Sequence, residues 1–156
     1  MNPEDALQLA IQELKRADHS IAVSLKYTRT VDVIKSIIER LINTIAHCLD
    51  ALLAHAKTQK KVSEIPPLPR VKVDVVKKVY AEDRTIVDFC EFFLVLRRID
   101  KAKFERAQEY RRHVTMTAHM DGGESIEITI DIISDYFERS KEFLNYVSKL
   151  VHGASE

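Results

Sequence analysis

One long run of regularly spaced apolar side chains constrains this fold more than any other feature. From Val31 onward, aliphatic residues recur every three or four positions, as expected for a helix with one apolar face. These residues are Ile34, Ile37, Ile38, Leu41, Ile42, Ile45, Cys48, Leu49, Leu52, Leu53 and Ala56. The face is too wide for one neighbouring helix. We therefore expect either the central helix of a bundle or a helix that also lines a subunit interface.

A polar row occupies the other side of this predicted helix. It consists of Asp32, Ser36, Glu39, Asn43, His47 and Asp50. The row is interpreted either as a solvent-facing surface or as a polar cleft where two subunits face each other. Both interpretations place it opposite the aliphatic face.

Helical patterns also fill most of the remaining chain. A first helix begins at Asn2-Pro3 and carries an apolar face as far as Leu25, and Thr28 and Thr30 interrupt it. A short helix is predicted over 72–80, a buried phenylalanine-rich helix over 86–96 and an amphipathic helix at the C-terminus. The charged stretch 97–112 is predicted to be a helix, or a helix pair broken at Asp100. A proline-rich linker over about 62–70 separates the N-terminal helix pair from the C-terminal half.

The apolar period changes from helical to alternating after residue 113. Val114, Met116, Ala118 and Met120 alternate with polar residues, and a second alternating run follows the Asp121-Gly122-Gly123 turn. Two alternating runs around such a turn predict a β-hairpin. The sequence thus predicts one all-α domain, a bundle of about five helices with a small β-hairpin before the C-terminal helix.

Composition narrows the possible functions. The 156 residues contain 24 basic and 24 acidic side chains, so the net charge is 0, whereas a dedicated duplex-DNA binder usually carries a basic excess. Cys48 and Cys90 lie in apolar helical runs, which predicts buried, inert thiols. We expect no membrane segment and a cytoplasmic protein, because no run approaches the roughly 18 uncharged residues of a span.

Basic charge is concentrated in one segment with interleaved aromatic residues. Arginine, lysine and aromatic rings together can hold single-stranded RNA by charge and by stacking. The candidate RNA-binding residues are Arg97, Arg98, Lys101, Lys103, Tyr110, Arg111 and His113. The ordinary alternative is a solvated helix surface stabilised by salt bridges with residues such as Glu105.

Arg112 and His119 enclose six residues, and His113 directly follows the arginine. This spacing resembles the Arg-x4-6-His motif of the HEPN superfamily, whose members are small all-helical proteins that usually dimerise. The resemblance implies metal-independent RNA cleavage, in which a ribose 2′-hydroxyl attacks the adjacent phosphate. It implies that Arg112 stabilises charge, that His119 moves the proton, and that the motifs of two subunits meet across a cleft.

The predicted hairpin bears on this mechanism. If residues 114–120 are extended, His119 lies roughly 20 Å from Arg112, so the two can meet only through a bend or a second subunit. RNA binding without cleavage is a milder alternative. A further alternative is a non-catalytic homodimeric helical module that binds a protein partner through the aliphatic face.

No metal or cofactor is predicted. The chain lacks the Glu-x-x-His pairs of a di-iron bundle, and Glu109 with His113 supplies too few ligands for zinc. Its three glycines cannot form a glycine-rich phosphate loop.

Overall fold

The computed structural model of this chain describes residues 2–153 and is mainly helical. The helices are α1 (Pro3–His19), continued through a π-helical turn (Ser20–Ser24) into α2 (Leu25–Tyr27), then α3 (Val31–Thr58), α4 (Pro69–Val79), α5 (Arg84–Lys101) and α6 (Ile130–Gly153). The strands are β1 (Lys103–Ala107), β2 (Thr115–His119) and β3 (Ser125–Ile128). The predicted bundle of about five helices with a hairpin before the last one is confirmed.

Helix α3 is the central element of the bundle. It contacts α1, α4, α5 and α6, and most of its aliphatic residues from Ile34 to Leu53 are buried within the chain, while Ile42 is partly buried. Thr30 caps the helix, because its side-chain oxygen accepts a hydrogen bond from the Val33 N–H. The width of the apolar face is therefore explained by helices of the same chain.

The second part of the core is aromatic. Phe93 and Phe143 are fully buried, and Phe143 stacks on Phe89 with 4.5 Å between ring centroids. Cys48 and Cys90 are both buried, as predicted. Burial raises the pKa of the Cys48 thiol well above its usual range and that of Cys90 to about 11, so both thiols are protonated at neutral pH.

The predicted helix over 97–112 is wrong beyond Lys101. Ala102 has extended backbone angles, and residues 103–107 form β1 instead. Lysine, glutamate, arginine and alanine favour a helix locally, so the strand conformation comes from tertiary contacts. β1 pairs antiparallel with β2, and this pairing directs Phe104 towards the core.

The sheet has three antiparallel strands in the order β1-β2-β3. The predicted hairpin is formed by β2 and β3, and its turn contains Gly122 and Gly123 with φ values of 96° and 90°. Left-handed backbone of this kind favours glycine, which is why the turn forms at these positions. Within residues 2–153, no helix is long and apolar enough to cross a membrane.

Candidate functional site

The sheet has one buried face and one polar face. Met116 and Ala118 of β2 are buried, whereas Thr115, Thr117 and His119 alternate with them on the other side. Because residues directly opposite each other on neighbouring strands share a face, Lys103 and Ser125 lie on the polar face with His119. The alternation therefore directs the histidine away from the core.

His119 is held by side chains from both neighbouring strands. Its Nδ1 lies 3.0 Å from Ser125 Oγ, and its Nε2 lies 3.0 Å from Glu105 Oε2. In the tautomer whose Nε2–H donates to Glu105, Nδ1 accepts from the Ser125 hydroxyl. The His119 side chain remains 45% exposed, so it is oriented and accessible at once.

A basic cavity adjoins His119 where α5 passes into β1. It has a volume of about 440 Å³. Its lining residues are Arg98, Lys101, Ala102, Lys103, His119 and Asp121. Arg98 also pairs with Glu124, with 3.1 Å between Nη2 and Oε1. The end of α5 and the start of β1 thus bring three predicted RNA-binding cations together with the predicted catalytic histidine.

The opposite end of β1 and β2 carries a second group of predicted residues. Tyr110, Arg111, Arg112 and His113 lie in the segment 108–114, the β1–β2 loop, and all four are exposed. The loop is fixed to the start of α3. Glu109 accepts a hydrogen bond from the Val31 N–H at 3.0 Å, and the Tyr110 N–H donates to the Arg29 carbonyl at 2.6 Å.

Arg112 and His119 do not meet within one chain. Arg112 lines a separate pocket of about 220 Å³ at the start of α6, together with His113, Thr129, Ile130 and Asp131. His119 lies at the far end of β2, and five residues of strand span about 13 Å from first to last Cα. The structure therefore divides the predicted catalytic pair between two sites.

Arg97 has a different role from the other predicted cations. Its guanidinium lies 5.8 Å from the Phe93 ring centroid, a cation–π contact with the core. Arg97 does not line the basic cavity, whereas Arg98 does. Neighbouring positions on a helix differ by about 100° in direction, which explains the difference.

Sequence reasoning missed several residues near these sites. Glu105 and Ser125 orient His119, and Arg29 holds the β1–β2 loop through its carbonyl, two residues after Tyr27. Tyr27 lies outside the apolar positions of the first helical run, and this is the only feature of the sequence that indicates its exposure.

In the described part of the chain, no three His, Cys, Asp or Glu side chains are grouped to hold a metal ion.

Comparisons with protein-family models, with curated proteins and with solved structures found no match to this chain. The resemblance to the HEPN superfamily rests on the Arg112–His119 spacing in a small helical domain, and it stays a prediction. The function of this chain therefore has to be inferred from the arrangement of its own side chains.

Proposed function

We propose that this protein binds RNA through the basic cavity beside His119. The observation that carries the proposal is the convergence of Arg98, Lys101, Lys103 and His119 on one cavity. Lysine and arginine offer only hydrogen-bond donors together with a permanent positive charge, which suits phosphate oxygens. Because the whole chain has a net charge of 0, attraction to a polyanion must come from such a local concentration of cations.

The preference for RNA over DNA rests on polar groups at the edge of the cavity. Asp121 lines it, and the Ser125 hydroxyl is hydrogen-bonded to His119. Both groups can hydrogen-bond a ribose 2′-hydroxyl, the group that distinguishes RNA from DNA. Lys103 and Lys101 supply the interactions with phosphate, which position the strand without reading its sequence.

Cleavage demands more than the single chain provides. A metal-free nuclease needs Arg112 and His119 within hydrogen-bond reach of the same phosphate, and in one chain they line different pockets. The HEPN-like mechanism therefore requires a homodimer in which Arg112 of one subunit reaches the basic cavity of the other. Binding is the function that we propose for the single chain, and cleavage is its extension in a dimer.

The alternative function, a homodimeric module that binds a protein partner through the aliphatic face of α3, has less support. Ile34, Ile37, Ile38 and Leu41 on that face are 0% exposed. A partner could reach them only by displacing another helix of the bundle. An interaction surface would therefore have to use other side chains.

The binding test compares two double variants that remove the same charge. Lys101→Ala/Lys103→Ala alters the cavity, and Lys57→Ala/Lys61→Ala alters two exposed lysines elsewhere. With a labelled single-stranded RNA in excess chelator, we expect the cavity variant to bind about tenfold more weakly, a loss of about 1.4 kcal/mol. The slope of log K against log salt should also fall by about 0.7 for each phosphate that is no longer neutralised.

Equal weakening of RNA binding in both double variants would show that only overall charge matters and would remove the cavity from the proposal.

The proposed cleavage by a dimer has its own test. Arg112→Ala and His119→Ala should each abolish any formation of 2′,3′-cyclic phosphate ends. Mixing the two inactive variants should restore activity. In a mixed dimer, the His119→Ala subunit supplies an intact Arg112 and the Arg112→Ala subunit supplies an intact His119, so one of the two sites is complete. A mixture that stays inactive, although the wild type cleaves, would exclude a composite site.

A further inference from the structure

Two tyrosine rings are largely exposed to solvent, and the packing of the fold does not explain their exposure. Tyr27 and Tyr110 are each 77% exposed, more than any other large apolar side chain of residues 2–153. Burying an aromatic ring stabilises a protein, so leaving two of them in water forgoes that contribution. Tyr80, Tyr136 and Tyr146, by contrast, all pack against the core.

The two tyrosines belong to chain segments that are hydrogen-bonded to each other. Tyr27 ends α2, and Arg29 follows two residues later. The Tyr110 N–H donates to the Arg29 carbonyl at 2.6 Å, and Glu109 accepts from the Val31 N–H. Tertiary contacts therefore place two distant parts of the chain side by side, each with an exposed aromatic ring.

The backbone at Tyr110 is held in an unfavourable conformation. Its φ is 66°, in the left-handed region that glycine and asparagine adopt readily and a tyrosine rarely does. Gln108 has a φ of 56°, so the loop contains two such residues. Backbone strain of this kind persists where surrounding contacts fix it, and it is concentrated at functional sites. Asparagine would suit the backbone better, so the ring itself is the feature that needs an explanation.

A basic residue lies next to each of the two rings. Lys26 Nζ lies 5.8 Å from the Tyr27 ring centroid, and the Arg111 side chain is exposed. Two carboxylates of this region are already engaged, since Glu109 accepts from the Val31 N–H and Asp32 pairs with Arg106 at 2.8 Å. An exposed aromatic surface among cations is typical of proteins that bind single-stranded nucleic acid.

We infer that Tyr27 and Tyr110 form a stacking surface for unpaired bases of the bound RNA. This inference rests on the proposed RNA binding and adds its substrate class, a single strand rather than a duplex. The bases of a duplex already stack on each other, whereas unpaired bases can stack on protein rings. Stacking needs no base-specific hydrogen bond, so the surface tolerates any sequence and favours purines for their larger rings.

The test uses variants that separate the ring from the backbone. Tyr110→Asn keeps a residue suited to positive φ but removes the ring, and Tyr110→Phe keeps the ring but removes the hydroxyl. Tyr27→Ala removes the second ring from an ordinary helix end. With an adenine-rich single strand, we expect about tenfold weaker binding for each ring removed and a clearly smaller loss for Tyr110→Phe than for Tyr110→Asn. The losses should disappear with an abasic strand of the same length.

Tyrosine fluorescence gives a second readout that does not depend on affinity. The chain contains five tyrosines and no tryptophan, so tyrosine emission is directly visible. Stacked bases should quench that emission in the wild type at saturation, and less so in Tyr27→Ala and Tyr110→Asn. Thermal unfolding of each variant checks that the fold is intact.

The outcomes separate this inference from the proposed function. If the wild type binds no RNA, both fail. If Lys101→Ala/Lys103→Ala weakens binding while Tyr27→Ala and Tyr110→Asn bind and quench like the wild type, only the stacking surface is excluded. Equal loss on adenine-rich and abasic strands would also exclude it, because the rings would then act without bases.

Discussion

The helical core and the small sheet use their side chains in opposite ways. Most aliphatic residues of α3 from Ile34 to Leu53 are buried, whereas four of the five residues of β1 are exposed and only Phe104 is partly buried. The helical core therefore determines stability, and the polar face of the sheet presents its side chains to solvent. Substitutions that add or remove the same chemical group should therefore affect folding in the helical core and binding on the polar face of the sheet.

The two regions are nevertheless joined through the first turns of α3. Lys35 Nζ donates to the Asp100 carbonyl at 2.7 Å and lies 5.5 Å from the Phe104 ring centroid. Arg106 of β1 pairs with Asp32, and Glu109 reaches the Val31 N–H. The N-terminal end of the helix that organises the core thus also fixes the strand and loop that carry the candidate site.

The largest expected effect follows from placing a charge in the core. Ile38→Asp would bury an unpaired carboxylate at a position that is 0% exposed, at a cost of at least about 4 kcal/mol. Because small domains are stable by only about 5–15 kcal/mol, we expect a largely unfolded protein by circular dichroism. The matched control, Ser36→Asp, adds the same charge on the polar side of α3 and should fold normally. A folded Ile38→Asp protein that changes from dimer to monomer would instead place Ile38 at a subunit interface.

A smaller effect is expected at the contact between the two regions. Glu109→Ala removes the acceptor for the Val31 N–H, which should lower the free energy of unfolding by about 1–2 kcal/mol. Glu109→Gln keeps an acceptor oxygen and loses only the interactions of the charge with the helix N-terminus and with Arg106, 3.7 Å away, so its stability should fall less. Urea unfolding of the three proteins measures the difference. Wild-type stability in the alanine variant would show that Thr30 alone caps α3.

The smallest effect near neutral pH concerns a tyrosine of the helical region. Burial, and then the nearby Asp83, raise the pKa of Tyr80 to about 12, and its hydroxyl donates to the Leu52 carbonyl at 3.0 Å. Since the folded pKa exceeds the unfolded value of about 10, this stabilisation is complete below pH 10 and is lost as pH rises towards 12. Tyr80→Phe should therefore be less sensitive to alkaline pH than the wild type.

Urea unfolding on both sides of pH 10 tests this, with absorbance of the phenolate as a direct check. A difference between the two proteins that stays constant with pH would show that Tyr80 does not titrate differently in the folded and unfolded states. The sheet residues are not involved, so this measurement concerns the core alone.

The sequence predicted the core well and the site incompletely. Helix α3 and the β2–β3 hairpin are encoded by local periodicity and by the Gly122-Gly123 turn, so both could be identified without tertiary information. The cations of the basic cavity were predicted to lie on a helix or on a helix pair broken at Asp100. Their actual arrangement depends on residues 103–107 forming a strand, which no local pattern indicated.

What the sequence by itself determined is the set of elements with strong local signals. Those signals are apolar residues at helical spacing and glycines where the backbone must be left-handed. Only the tertiary structure decided that residues 103–107 form a strand, because hydrogen bonding to β2 stabilises the strand more than the helix propensity of these residues favours a helix. It also decided that Glu109 and Val31, 78 positions apart, meet and bring the Tyr110 loop beside Arg29. Such contacts depend on the packing of the whole chain, and a local pattern of residues does not contain that information.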